Sequence, residues 1–167
     1  MDLVAHLKST ANILEKNNTT TATNDLSNGL TKRVTRVYKG LEGMYERQPV
    51  MVNQYPVVFV EIRTHGEEFA ELGKSAKREI TTGFDIVGIT HCGMGTKTED
   101  IETTENSQYE CIQLISNIEN ILRNNIRLSQ TAVTKSLIIN TDYSERPQEN
   151  YINNVARIEL EVELLTS

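Results

Sequence analysis

Ala156-Arg157-Ile158-Glu159-Leu160-Glu161-Val162-Glu163-Leu164 is the most strictly patterned stretch of this 167-residue chain. Apolar residues hold every even position and charged residues every odd one, the period of a half-buried β-strand. One face of that strand belongs to a core, and the other carries a row of carboxylates. A strand of this kind needs sheet neighbours and a cover for its apolar face, and the rest of the chain supplies both. Val57-Val58-Phe59-Val60-Glu61-Ile62-Arg63 is a run of β-formers after Pro56 and reads as a buried strand. Lys77 to His91 reads as another, long enough for part of its hairpin to project, with Gly83 and Gly88 as bulge or bend points. Between these two strands, His65 to Lys74 has no clean period and reads as a hairpin loop.

Ser107 to Ile126 supplies the cover. Ile112, Ile115, Ile118, Leu122 and Ile126 recur at helical spacing, with Ser107 and Glu110 placed as a capping box. Leu3, Leu7, Ala11 and Leu14 form one face of a shorter leading helix. Residues 30–38 are β-branched and basic and read as a first strand, broken by Gly40 and Gly43, and Lys135 to Asp142 reads as the strand before the final one. The order is α-β-β-β-α-β-β. It describes one α+β domain over residues 1–167, with a mostly antiparallel sheet, both helices on one face and a long projecting hairpin. The tract Asn17 to Asn28 and the connection Gly93 to Glu105 are polar and read as mobile loops.

Composition narrows the function. The chain has 19 threonines and 15 asparagines, which favour strands, turns and polar surface, and hydrophobic residues are 38% of it. With 17 Lys and Arg against 23 Asp and Glu, the net charge of −6 disfavours a DNA-coating role or an anionic membrane surface. The start Met1-Asp2-Leu3-Val4 lacks the pattern of a signal peptide, so a soluble compartment and two reduced thiols, Cys92 and Cys111, are expected. Gly93-Met94-Gly95-Thr96-Lys97-Thr98 is no phosphate loop, because counting from Gly88 and Gly93 puts Met94 where the lysine must stand. His6, His65 and His91 are scattered without metal-ligand spacing, and no nucleophile elbow is present. No catalytic site, cofactor or metal is expected.

Charge is instead segregated. Lys32, Arg33, Arg36 and Lys39 form a compact basic segment. Glu99, Asp100, Glu102 and Glu105 form an acidic tract, and Glu159, Glu161 and Glu163 form the row on the last strand. Scattered solvated charge is one reading of this pattern. The other is a head-to-tail contact between copies, basic segment against acidic face, which closes into a ring where the rotation permits.

In the order of its elements, from the leading helix Leu3 to Leu14 to the closing strand Ala156 to Leu164, the chain resembles the tail-terminator (tail-completion) proteins of long-tailed bacteriophages. The resemblance is one of element order and texture over nearly the whole chain, without a short diagnostic motif. It implies a structural virion protein, a ring, commonly a hexamer, that caps the tail tube, stops its polymerisation and meets the head connector. Its partners would be its own copies, the tail tube protein, a head connector or neck protein, and a sheath protein if the tail is contractile. DNA would pass through the channel without specific binding, with carboxylates keeping it off the wall. The place would be the tail-to-head junction of the virion, and the host cytoplasm during assembly. A head-tail stopper or neck protein of the same particle remains open, as does a small cellular α+β binding or enzymatic domain.

Overall fold

The computed structural model describes residues 3–48, 50–69, 78–93, 99–125, 133–147 and 151–166. Along the chain come α1 (Leu3–Lys16), β1 (Arg36–Leu41), the single-turn α2 (Met44–Arg47), a 3-10 turn (Val52–Gln54), β2 (Val57–Phe69), β3 (Arg78–Gly93), α3 (Glu99–Asn124), β4 (Val133–Pro147) and β5 (Tyr151–Thr166). The class is α+β, with one mixed five-stranded sheet in the order β1-β2-β3-β5-β4 and three helices.

The alternation of β5 decides the core. Ala156, Ile158, Leu160 and Val162 are buried and join Val58, Val60, Phe84 and Ile86 beneath Leu114, Ile115, Ile118, Ile121 and Leu122 of α3 and Ala11 and Leu14 of α1. Each fully buried large aliphatic side chain contributes about 1.5–3 kcal/mol, so this layer dominates the stability. α3 lies tight on β3 because position 88 is glycine. A Cβ there would come within 3.0 Å of Leu114 Cδ2 and 3.2 Å of its Cγ.

β1 runs parallel to β2, whereas every other strand pair is antiparallel. A parallel pair needs a crossover of a dozen or more residues, and residues 42–56 provide it. They cross the sheet face opposite α3, where Met44, Tyr45, Val50 and Tyr55 pack on Tyr38, Val57, Phe59, Val87, Ile89 and Val155. Tyr38 stacks on Phe59 with ring centroids 4.7 Å apart.

Several elements depart from the sequence expectations. The first strand spans Arg36–Leu41, not 30–38, and Gly40 lies inside it. The backbone of Val34 is taken by side chains instead of a ladder: Asn18 Nδ2 donates to its carbonyl at 2.8 Å, and its N–H donates to Ser27 Oγ at 2.9 Å. β2 continues through His65–Phe69, expected as loop, because pairing with Arg78–Thr82 satisfies the backbone whatever the side chains are. β4 extends to Val133–Pro147 and β5 to Tyr151–Thr166.

α3 begins at Glu99, so Ser107 is a buried mid-helix residue and not a cap. Its carbonyl accepts from Thr90 Oγ1 at 2.8 Å and its Oγ from Asn154 Nδ2 at 2.8 Å, while Glu110 Oε1 accepts from the Thr31 N–H. The tract 17–28 is packed on the body and is not an exposed loop throughout. Leu26 is fully buried in the core, and Asn117 Nδ2 donates to the carbonyls of Leu26 and Asn28. Residues 70–77, the segment 94–98 and Ile126 lie outside the described residues. Among the described residues no helix is long and apolar enough to cross a membrane.

Candidate functional site

Beyond the crossover, the open face of the sheet carries a charged layer built by three adjacent strands. Register places Glu61 of β2 opposite Asp85 of β3, and Asp85 opposite Glu159 of β5. A bulge between Ile62 and Thr64 leaves Arg63 as an extra residue. Its guanidinium lies over Gly83, where a Cβ would sit 3.5 Å from both Nε and Nη2 of Arg63. Arg63 Nη1 reaches Glu159 at 3.2 Å, and Arg157 Nη2 bridges Asp85 and Glu159 at 2.9 Å each.

Asp85 is only 2% exposed. Burial pushes its carboxyl above the usual range although Arg157 and Arg63 both oppose the shift. Arg63 Nε and Asp85 Oδ1 face each other at 3.8 Å, too far for a hydrogen bond, and both atoms are buried without a hydrogen-bond partner. Glu61, fully buried, accepts the N–H groups of Tyr45 at 2.6 Å and Gly43 at 2.8 Å and so holds α2 on the sheet. Its carboxyl is also raised, chiefly by burial.

Several clefts border α3 among the described residues. A polar one of about 470 Å³ is lined by Lys32, Tyr55, His91, Asn106 and Glu110. In it the His91 ring stacks on Tyr55 at 5.1 Å, and His91 Nδ1 lies 2.9 Å from Asn153 Oδ1. A second, of about 400 Å³, lies between α3 and the β4–β5 edge, lined by Gln108, Cys111, Ile112, Tyr143 and Asn154. Cys92 and Cys111 are buried and form no disulfide, and burial pushes the Cys111 thiol up to about 11. Among the described residues no cluster of three His, Cys, Asp or Glu side chains could hold a metal.

The residues singled out from the sequence are distributed as follows. Arg33 binds Asp25 at 2.7 Å, and that hydrogen bond holds the Asp25 carboxyl below its ordinary range. Lys39 binds Glu15 of α1 at 2.9 Å, Arg36 lies over the Tyr38 ring at 4.8 Å, and Lys32 lines the polar cleft. Glu99, Asp100, Glu102 and Glu105 occupy the first turns of α3, with Glu105 exposed. Glu159 is engaged by two arginines, Glu161 is half-buried, and Glu163 stands opposite Thr81 in the register. The basic strand and the carboxylate strand are three strand spacings apart, roughly 14 Å, so they do not meet within one subunit. The last strand's charged face is thus not a solvated row of like charge: Arg157 and Arg63 neutralise its middle. Arg63, Asp85 and Glu61 were missed, although a lone acid between Phe84 and Ile86 was a visible signal. Compared with known proteins, the chain matches no family model and no curated protein.

Proposed function

We propose that this chain is a structural virion protein, a ring-forming tail terminator that caps the tail tube of a long-tailed bacteriophage and joins it to the head connector. The observation that carries the reading is the sheet itself. Its strands β2 to β5 run 13, 16, 15 and 16 residues, against the usual five or six. Strands β1 and β4 form its two edges, and an edge strand offers its backbone and side chains to a neighbour. In this reading the element order is α-β-β-β-α-β-β, the β2–β3 hairpin projects from the helix-covered body, and copies join head to tail. The tube protein, the head connector and, in a contractile tail, the sheath are its partners.

The ring uses the basic segment Lys32 to Lys39 with acidic groups of the next copy, and DNA passes its channel without specific binding. Since Arg33, Lys39 and Glu159 have partners inside the subunit, exchange of those partners accompanies any contact they make. The test is localisation in purified particles with gold-labelled antibody. Label at the tube-to-head junction supports the reading, and label elsewhere, or none on particles, overturns it. A second reading, a small-ligand binding domain, is favoured by the polar cleft at His91 and Tyr55. A small-molecule panel that raises the melting temperature of wild type but not of His91→Ala would support that alternative.

A further inference from the structure

We infer that the groove between α3 and the β4–β5 edge binds a small neutral aromatic molecule of the phenol class, whose hydroxyl donates a hydrogen bond to Asn154 Oδ1. The inference is independent of the ring reading. Asn154 lines the groove floor and is only 3% exposed, yet its Oδ1 has no hydrogen-bond partner. A buried acceptor left unpaired carries a desolvation penalty that an incoming donor removes.

The neighbouring bonds fix which end of the amide is left over. Thr90 Oγ1 donates to the Ser107 carbonyl at 2.8 Å and lies 3.3 Å from Ser107 Oγ. With the Thr90 proton committed to that carbonyl, Ser107 donates to Thr90, and Ser107 Oγ is left to accept. Asn154 Nδ2 donates to it at 2.8 Å. Turning the amide over would set Oδ1 against an oxygen with no proton to give, so the carbonyl end is the unpartnered one.

The rest of the groove sets the rest of the ligand. In the register Tyr143 stands opposite Ala156, whose side chain is in the core under α3, and Asn154 shares that parity, so both belong to the helix-covered face. Cys111, Ile112, Tyr143 and Val155 make the sides apolar or aromatic, an environment that suits an offset ring and an edge contact with sulfur. Among the described residues that line the groove none is charged at neutral pH, and Glu119 nearby is paired with Arg123. An ion would lose its hydration there without a partner, so the ligand is neutral. The groove volume of about 400 Å³ lies toward the small end of ligand sites, about 300–1,000 Å³, and fits a single ring. Oδ1 has no solvent contact as the side chains stand, so the bond forms as the groove wall shifts. Ile112 and Tyr143, 50% and 56% exposed, are placed to turn aside, a fast motion for exposed rotamers.

The experiment titrates the full chain with phenol and with toluene, which has the same shape and no donor, and reads binding by solution NMR. Phenol is expected to bind saturably and at least about tenfold tighter than toluene. An apolar groove without a usable acceptor gives the opposite ranking, because phenol surrenders its hydrogen bonds to water on entry. Saturation should shift the Asn154 side-chain amide signals. Ile112→Ser and Tyr143→Ser, both at exposed sites and with folding confirmed by circular dichroism, should each weaken phenol binding by about fivefold or more. Toluene binding as tightly as phenol, phenol shifts that miss Asn154 or that both variants leave unchanged, or no saturable phenol binding at all would each overturn the site and leave the ring reading standing.

Discussion

Removing Arg157 should show how the charged layer is balanced. In Arg157→Met the alkyl stem is kept and the guanidinium lost, so Asp85, 2% exposed, keeps only Arg63 at 3.8 Å. Breaking a buried ion pair by deleting one partner costs about 3–5 kcal/mol. Arg157 is itself about a third exposed on its side chain and Arg63 remains, so the expected loss is discounted below that range, to about 2–3 kcal/mol at pH 7–8. The pH dependence has a definite sign. The Asp85 carboxyl in the folded protein is raised above its ordinary value, mainly by burial, and losing Arg157 raises it further. The folded state therefore holds a proton that the unfolded state releases, and the cost of the substitution shrinks as pH falls through the raised value. Urea denaturation at pH 8 and pH 5 reads both quantities. A loss below about 0.5 kcal/mol at pH 8, the size of an ordinary surface change, or a loss that grows on acidification, would refute the reasoning.

Three further outcomes test other parts of the structure. Leu26→Ala should cost about 2–5 kcal/mol, as for a fully buried leucine, whereas a mobile loop would show almost nothing by denaturant titration. Glu61→Gln replaces one of the two oxygens that accept the Gly43 and Tyr45 N–H groups with a donor, so about 1–3 kcal/mol should be lost, with faster hydrogen exchange at Gly43 and Tyr45. In β5, Leu160→Asp buries a charge beneath α3 and should prevent stable folding, while Glu161→Gln, half-buried on the other face, should stay within about 0.5 kcal/mol by thermal melt.

The sequence made the core legible wherever one face of an element is wholly apolar, as in β5, or where a stripe recurs at helical spacing, as from Leu114 to Leu122; Ile112, read as the start of that stripe, is instead half-exposed. It hid what depends on partners distant in the chain. His65–Phe69 carries polar groups on both faces, so only the pairing with β3 makes it strand. The first turns of α3 contain Asp100, Thr103 and Thr104, weak helix formers, so helical spacing alone did not extend the helix back to Glu99. The tract 17–28 looked too polar to order. Side-chain amides and hydroxyls from Asn18, Ser27 and Asn117 replace the missing ladder around one buried leucine. The charged layer was half legible: Asp85 stood out as an acid inside an apolar strand, but its meeting with Arg63 and Arg157 is a matter of register and of one bulge.

The most direct test of the central proposal is the mass of the purified full chain, measured over a range of concentrations and paired with negative-stain images. The account predicts closed rings at an integer multiple of 18.9 kDa, about 113 kDa for six copies. A single species of 18.9 kDa at every concentration, with no rings in the images, would contradict it.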